Sequence, residues 1–173
     1  QKEAMPEFPN FDIRTEKFAA VADYFAASRT AQHKSASAVA DIRDDFARGE
    51  AELKSRRPHV KFEYNDDMRI PEVITPDMWQ QRIEPLTEPS GLKRSEILRN
   101  FVRGNNRLVG LTDTQATELK VTADYTNPNG LTSFAHLEQQ INGIPVFRGE
   151  VKAGFNRDGQ IIRVINNLAP GLD

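Results

Sequence analysis

Cysteine is absent from this chain of 173 residues. Disulfides, thiol nucleophiles and cysteine-ligated zinc are therefore all excluded, although secreted and cytosolic settings both stay open. An excess of positive charge is missing too. The 23 Lys and Arg stand against 25 Asp and Glu, a net charge of −2, so no basic face argues for nucleic acid. No apolar run approaches the roughly 18 residues of a membrane span. Gly104 is isolated, with no Gly-rich phosphate loop around it. None of Ser35, Ser37, Ser90 and Ser95 has a Gly-x-Ser-x-Gly setting. What remains is a chain that is 38% hydrophobic and 28% charged, suited to one domain, or to one domain with an appended helical segment. It begins at Gln1 rather than Met, which suggests a processed or truncated start with any signal peptide already removed.

Residues Met5 to Asn10 read as a leader. From Thr15 to about Arg56 the chain is rich in Ala, Glu, Lys and Arg without proline, so helix is the default. Phe18, Val21, Ala22 and Phe25 form an i, i+3, i+4, i+7 stripe, which Val39, Ile42, Phe46 and Leu53 resume. The polar stretch Ser28 to Ser37 divides it. Such a helix packs on the body, or else serves as an arm for a partner. Pro58 stops it, and Val60, Phe62 and Tyr64 alternate with charged residues as a short strand. Ile70 to Pro89 carries Pro71, Pro76, Pro85 and Pro89 and the sole tryptophan, Trp79. It reads as an irregular connector, with Trp79 anchoring it to the core, or else to a partner.

A firmer helix is predicted from about Leu92 to Val109. Ile97, Leu98, Phe101, Val102, Leu108 and Val109 form its apolar stripe, and Gly110 is placed to end it in a left-handed cap. Its arginines, balanced by Glu96, read as a solvated face. Thr112-x-x-Gln115 has the spacing of a capping box. Leu119, Val121, Ala123 and Tyr125 then alternate as a half-buried strand. Two turn signals follow, Asn142-Gly143 and Asn156-Arg157-Asp158-Gly159, and each offers a glycine where a hairpin needs positive φ. Phe147, Val151, Ala153 and Phe155 are expected on one buried face, with Ala135, Leu137 and Ile141 beside them and Ile162 with Val164 on the last strand. The fold class is therefore α+β: an antiparallel four-stranded sheet covered by one helix, with an N-terminal helical extension. A division at 89/90 follows. Residues 1–89 hold the helical segment, short strand and Pro-rich connector, and residues 90–173 the α+β domain.

The wording of the meander resembles a known family. Phe134, Glu138, Gln139, Gln140, Asn142, Gly143, Ile144, Pro145, Val146, Phe147, Gly149, Glu150, Val151, Asp158 and Gly159 follow the pattern of propeptides from secreted thermolysin-like and fungalysin-like zinc metalloproteases. Upstream, Asn10-Phe11-Asp12-Ile13-Arg14 looks like the start of bacterial fungalysin-type precursors, and Arg69 to Thr75 looks like a second segment of theirs. The likeness is best from Leu92 to Leu172.

The resemblance implies a cystatin-like, propeptide-like fold that acts as folding assistant and inhibitor of a following catalytic domain. It implies a chain found outside the cell or in the periplasm after signal-peptide removal. The family-motif residues it marks for structure or interaction are Phe134, Gln140, Asn142, Gly143, Ile144, Pro145, Val146, Phe147, Gly149, Asp158 and Gly159. Zinc is expected in the catalytic domain and not in this chain. Precursors of this kind commonly carry a second small α+β unit before the protease, and the chain ends at Asp173, so the resemblance implies folding assistance ahead of strong inhibition.

No His-Glu-x-x-His occurs in the sequence. The resembled proteases need it, because two histidines one helical turn apart hold zinc and the glutamate activates water. The chain is accordingly expected not to be the peptidase, and no catalytic or metal residue is assigned. Of the three histidines, His33 and His59 read as solvated. His136 and Glu138 share a strand face, but two ligands do not make a zinc site, so a cross-strand pair with Arg148 or Lys152 is expected instead. Asn156-x-Asp158-Gly159 resembles the start of a calcium loop, yet its twelfth position is Asn167 rather than glutamate. The rival functions are a stand-alone secreted or periplasmic module that binds peptide or protein, and an enzyme of unrecognised type working from His136 and Glu138.

Overall fold

The computed structural model describes residues 35–66, 69–129 and 131–172. The sequence features Asn10 to Arg14, Phe18, Val21, Ala22, Phe25 and His33 lie outside them. The chain divides into Gln1–Val39 and Ala40–Asp173, and the sheet and its core lie in the second.

Helix α1 (Ala36–Arg56) buries Phe46, Gly49 and Leu53. A Cβ on Gly49 would stand 2.5 Å from the Leu108 amide nitrogen, so glycine lets the backbones approach closely. The helix ends just before Pro58, whose ring cannot continue it. Strand β1 (Val60–Tyr64) then pairs antiparallel with β2 (Pro71–Pro76). The irregular connector expected from Ile70 to Pro89 is thus corrected at its start. Val73, Ile74 and Thr75 are β-branched, and the prolines sit at the strand ends, where a missing N–H costs least.

The rest of that segment, 77–92, crosses the sheet end without regular structure. Leu86 is buried there, its N–H donating to the Ile161 carbonyl at 2.8 Å. Trp79 does not anchor it: the indole is 96% exposed.

Helix α2 (Arg94–Gly104) buries Ile97, Leu98, Phe101 and Val102. The single helix expected to Val109 is broken at Asn105, whose φ is −134°. Its side chain explains the break. Nδ2 of Asn105 donates to the Phe101 carbonyl at 2.7 Å, while Oδ1 accepts from the Arg56 guanidinium at 2.7 Å. A short helix α3 (Asn106–Val109) follows and ends at Gly110, which is left-handed at φ 68°. Thr112 and Gln115 form the capping box that opens α4 (Asp113–Glu118). Asp124 reaches across from the sheet to accept from the Ser95 amide at 3.1 Å and from the Ser95 hydroxyl, holding the first turn of α2 on the sheet.

The remaining strands are β3 (Lys120–Thr126), β4 (Ser133–Ile141), β5 (Ile144–Phe155) and β6 (Ile161–Asn166). All pairings are antiparallel, in the order β1-β2-β6-β5-β4-β3. The sheet therefore has six strands rather than four, because β2 joins β6 through Val73↔Ile165 and Ile74↔Val164. Two of the expected faces also change. Ile162 bulges out between Gly154↔Arg163 and Phe155↔Ile161, so it is exposed while Ile161 and Val164 are buried. A bulge between Val121 and Ala123 puts Tyr125 opposite Phe134 on the outer face, where it is exposed, while Val121, opposite buried Leu137, is exposed on this edge strand. The core unites Ile97, Leu98, Phe101 and Val102 of α2 with Ala135, Leu137, Val151, Phe155 and Val164 of the sheet.

Candidate functional site

The family-motif residues fall mainly on the β4–β5 hairpin, and the backbone there is unusual. Asn142 (φ 51°) and Gly143 (φ 79°) are both left-handed, the requirement of a two-residue turn whose twist suits the flanking strands. Ile141↔Ile144 and Gln140↔Pro145 pair next to it, but the next pair is Glu138↔Glu150. Residues 146–149 of β5 therefore oppose Gln139 alone. Arg148, at φ 57°, supplies the kink of this wide bulge.

The bulge reverses which side chains face inward. Beyond it Val151, Ala153 and Phe155 are buried as expected. Within it Phe147, expected in the core with Phe101 and Phe155, is 88% exposed. Ile144 beside it is 70% exposed. The Arg148 guanidinium lies 5.4 Å from the Phe147 ring centroid, within cation–π range.

A buried amide fixes the base of this hairpin. Gln139 is 1% exposed. Its Nε2 donates to the Ala169 carbonyl at 3.0 Å, and its Oε1 accepts from the Ala169 N–H at 2.8 Å. The side chain thus acts as a strand-like partner for the tail after β6. Gly149 packs against it. A Cβ at Gly149 would lie 2.8 Å from Val146 and 3.1 Å from Gln139 Oε1. The tail is held further on by the Gly171 N–H, which donates to the Gly110 carbonyl at 3.0 Å, and by Gln115, which donates to the Leu172 carbonyl.

Asp158 and Gly159 do not join this site. They close the turn at the other end of β5, where the Asp158 carbonyl accepts from the Ser90 N–H at 2.9 Å. Gly159 (φ 74°) is pressed against the Ser90 carbonyl. Phe134 lies on the face of the sheet turned away from α2, 40% exposed, stacked at 5.2 Å on Tyr125 and 5.3 Å from the His136 ring. Gln140 donates to Glu138 at 3.3 Å. His136 stands opposite Lys152, which itself pairs with Glu150 at 2.5 Å. Burial, and then the Lys152 charge, push the His136 imidazole below its ordinary pKa, with Glu150 opposing. Among the described residues no three His, Asp or Glu side chains converge as a metal site would need.

The other marked electrostatic feature joins α1 to β1. Glu50 accepts from Lys54 and from the Tyr64 hydroxyl. Burial raises the Glu50 carboxyl, but those two hydrogen bonds and the Lys54 charge outweigh it and hold the group below its ordinary value. Burial, and then the same carboxylate, push the Tyr64 phenol up. All three groups have partners, so the arrangement braces the helix on the strand.

Gln139 and Gln140 both belong to the family pattern, yet Gln140 alone is among the expected site residues and Gln139 is the one that holds the tail. Burial separates them. Only Gln139 lies on the covered face, and its partner Ala169 is 30 positions away.

Residues 117–168 match the model of the Fungalysin/Thermolysin Propeptide Motif. The segment from the end of α4 through β6 to Leu168 therefore carries the motif of fungalysin-like protease propeptides, over a shorter span than the likeness expected from Leu92 to Leu172. Searches of curated proteins and of solved structures return no match.

Proposed function

We propose that this chain is the N-terminal pro-domain of a secreted zinc metallopeptidase, assisting the folding of the catalytic domain and inhibiting it until proteolysis separates them. The observation that carries this reading is the propeptide motif at 117–168, which spans β3–β6 and an exposed hairpin. A pro-domain that binds the native catalytic domain and not its unfolded chain stabilises it by mass action. Such an interface buries roughly 1,200–2,000 Å² in total. Among the described residues the sheet has one unpaired edge near the motif, that of β3, because β2 covers the outer side of β6. Edge pairing along β3, with the connector and the tail beside it, would close the protease cleft by exclusion. Zinc and its histidines belong to the partner.

The test adds the purified chain to the catalytic domain of the same precursor, during refolding and in an assay of the folded enzyme. Faster recovery of active enzyme and stoichiometric loss of hydrolysis are expected. Unchanged refolding together with unchanged hydrolysis at micromolar chain would remove the reading. The open β3 edge also favours a second one, a stand-alone module that binds extended peptides. It would bind such peptides while leaving every metallopeptidase unaffected.

A further inference from the structure

We propose that the β4–β5 hairpin is the docking finger for the metallopeptidase catalytic domain. The Phe147 ring enters an apolar pocket on that partner, and Arg148 meets carboxylates at the pocket's rim. This rests on the pro-domain reading and adds to the β3 edge a second surface that contacts the same catalytic domain.

Four observations converge. First, Phe147 is 88% exposed and Ile144 70% exposed, although a β5 without the bulge would have placed Phe147 in the core. Second, the backbone that turns them outward uses the left-handed region at Asn142 and at Arg148. A bulky non-glycine residue rarely stays there unless its surroundings compel it, and such conformations cluster where a protein binds. Third, the finger is fixed in advance. Gln139 bonds the tail on both sides of its amide, and Gly149 admits the close approach of Val146, so little order is lost on docking. Fourth, charge indicates the occupant. Arg148 has no carboxylate partner within ion-pair distance among the described residues, while nearby Glu150 is engaged by Lys152. An exposed aromatic with an unpaired guanidinium against its ring fits an apolar pocket with an acidic rim.

Self-association is the main rival, and the same variants decide it. The full chain is prepared as wild type, Phe147→Ala, Arg148→Glu and Leu131→Ala. Leu131 is 67% exposed and lies at the other end of β4, so it controls for loss of any exposed apolar side chain. Each protein is titrated against the catalytic domain of the same precursor, with thermal unfolding and sedimentation measured alongside. Phe147→Ala should weaken binding about tenfold or more, the behaviour of a central aromatic anchor, with its melting temperature unchanged. Arg148→Glu should weaken binding as well, and Leu131→Ala should bind as wild type. If wild type binds and Phe147→Ala binds equally well, the docking finger is overturned while the pro-domain reading stands. A dimer abolished by Phe147→Ala with protease binding intact overturns it in favour of a second copy. If the wild-type chain neither binds nor aids refolding, the pro-domain reading itself has failed and the finger falls with it.

Discussion

The two hairpins of the meander carry similar turn residues and end up in opposite circumstances. Asn142-Gly143 projects into solvent, and a Cβ on Gly143 would meet nothing within 4 Å. Asn156 to Gly159 is packed under the segment leading into α2, where a Cβ on Gly159 would lie 2.0 Å from the Ser90 carbonyl oxygen and 2.6 Å from Arg94 Nη1. Asn156 also ties that turn together. Its Oδ1 accepts from the Asp158 and Gln160 amides, and its Nδ2 donates to the Gln160 side chain. A turn signal specifies backbone shape and nothing about what lies over the turn. One hairpin contributes to the body of the fold, and the other is left free to meet something else.

The largest contrast should come from the two phenylalanines on β5. Phe155→Ala removes a wholly buried ring and should cost about 3–5 kcal/mol. Phe147→Ala should stay within about 0.5 kcal/mol of wild type. Urea unfolding measures both, and comparable losses would show that Phe147 is packed after all.

The glycines sharpen the same contrast. Gly159→Ala meets both the positive φ and the steric overlap with Ser90 and Arg94, so a loss of roughly 3 kcal/mol is expected. Gly143→Ala meets only the left-handed conformation, worth about 1–2 kcal/mol. Similar midpoints for the two variants would erase the distinction between the hairpins.

Gln139→Ala should cost about 1–3 kcal/mol, since it removes a buried amide and leaves the N–H and C=O of Ala169 without their partner. It should also free the tail, read as faster proteolytic cutting after Asn167 than in Gln140→Ala.

His136 should give the smallest effect. Its pKa is lower in the folded chain than the ordinary 6.5, so the unfolded chain binds more protons between the two values. Its contribution is full above 6.5 and declines as pH falls through the folded value. In His136→Gln the unfolding free energy should lose that part of its slope at mildly acidic pH. Lys152, Glu150 and Glu138 stay in place around the substituted position, and a slope identical to wild type would refute the assignment.

Much of the fold was legible in the chain because its signals were local. The capping box of Thr112 and Gln115, the left-handed Gly110 and both hairpin turns each depend on a few consecutive residues, and each stands where it was expected. What escaped were features decided by distant partners. The inner face of β5 was inferred from strict alternation, and the surplus of residues opposite Gln139 reversed it at Phe147. The helix break needed Arg56 beside Asn105. The β2–β6 pairing joins residues some ninety positions apart, and no alternation of Val73 and Ile74 announces which strand they will find. Trp79 was assigned to the core on size alone, and its 96% exposure shows that apolar area gives a reason for burial but no route to it.

The narrow contact between β2 and β6 has a practical outcome. Trimming the protein back to the motif at 117–168 would strip away the strand that shields Val164 and Ile165. The fragment would then display a raw seam of unmatched amides and β-branched side chains, the kind of border along which copies zip into aggregates. Any shortened version intended to stay in solution must therefore begin ahead of Val60, so that the first pair of strands can seal that margin.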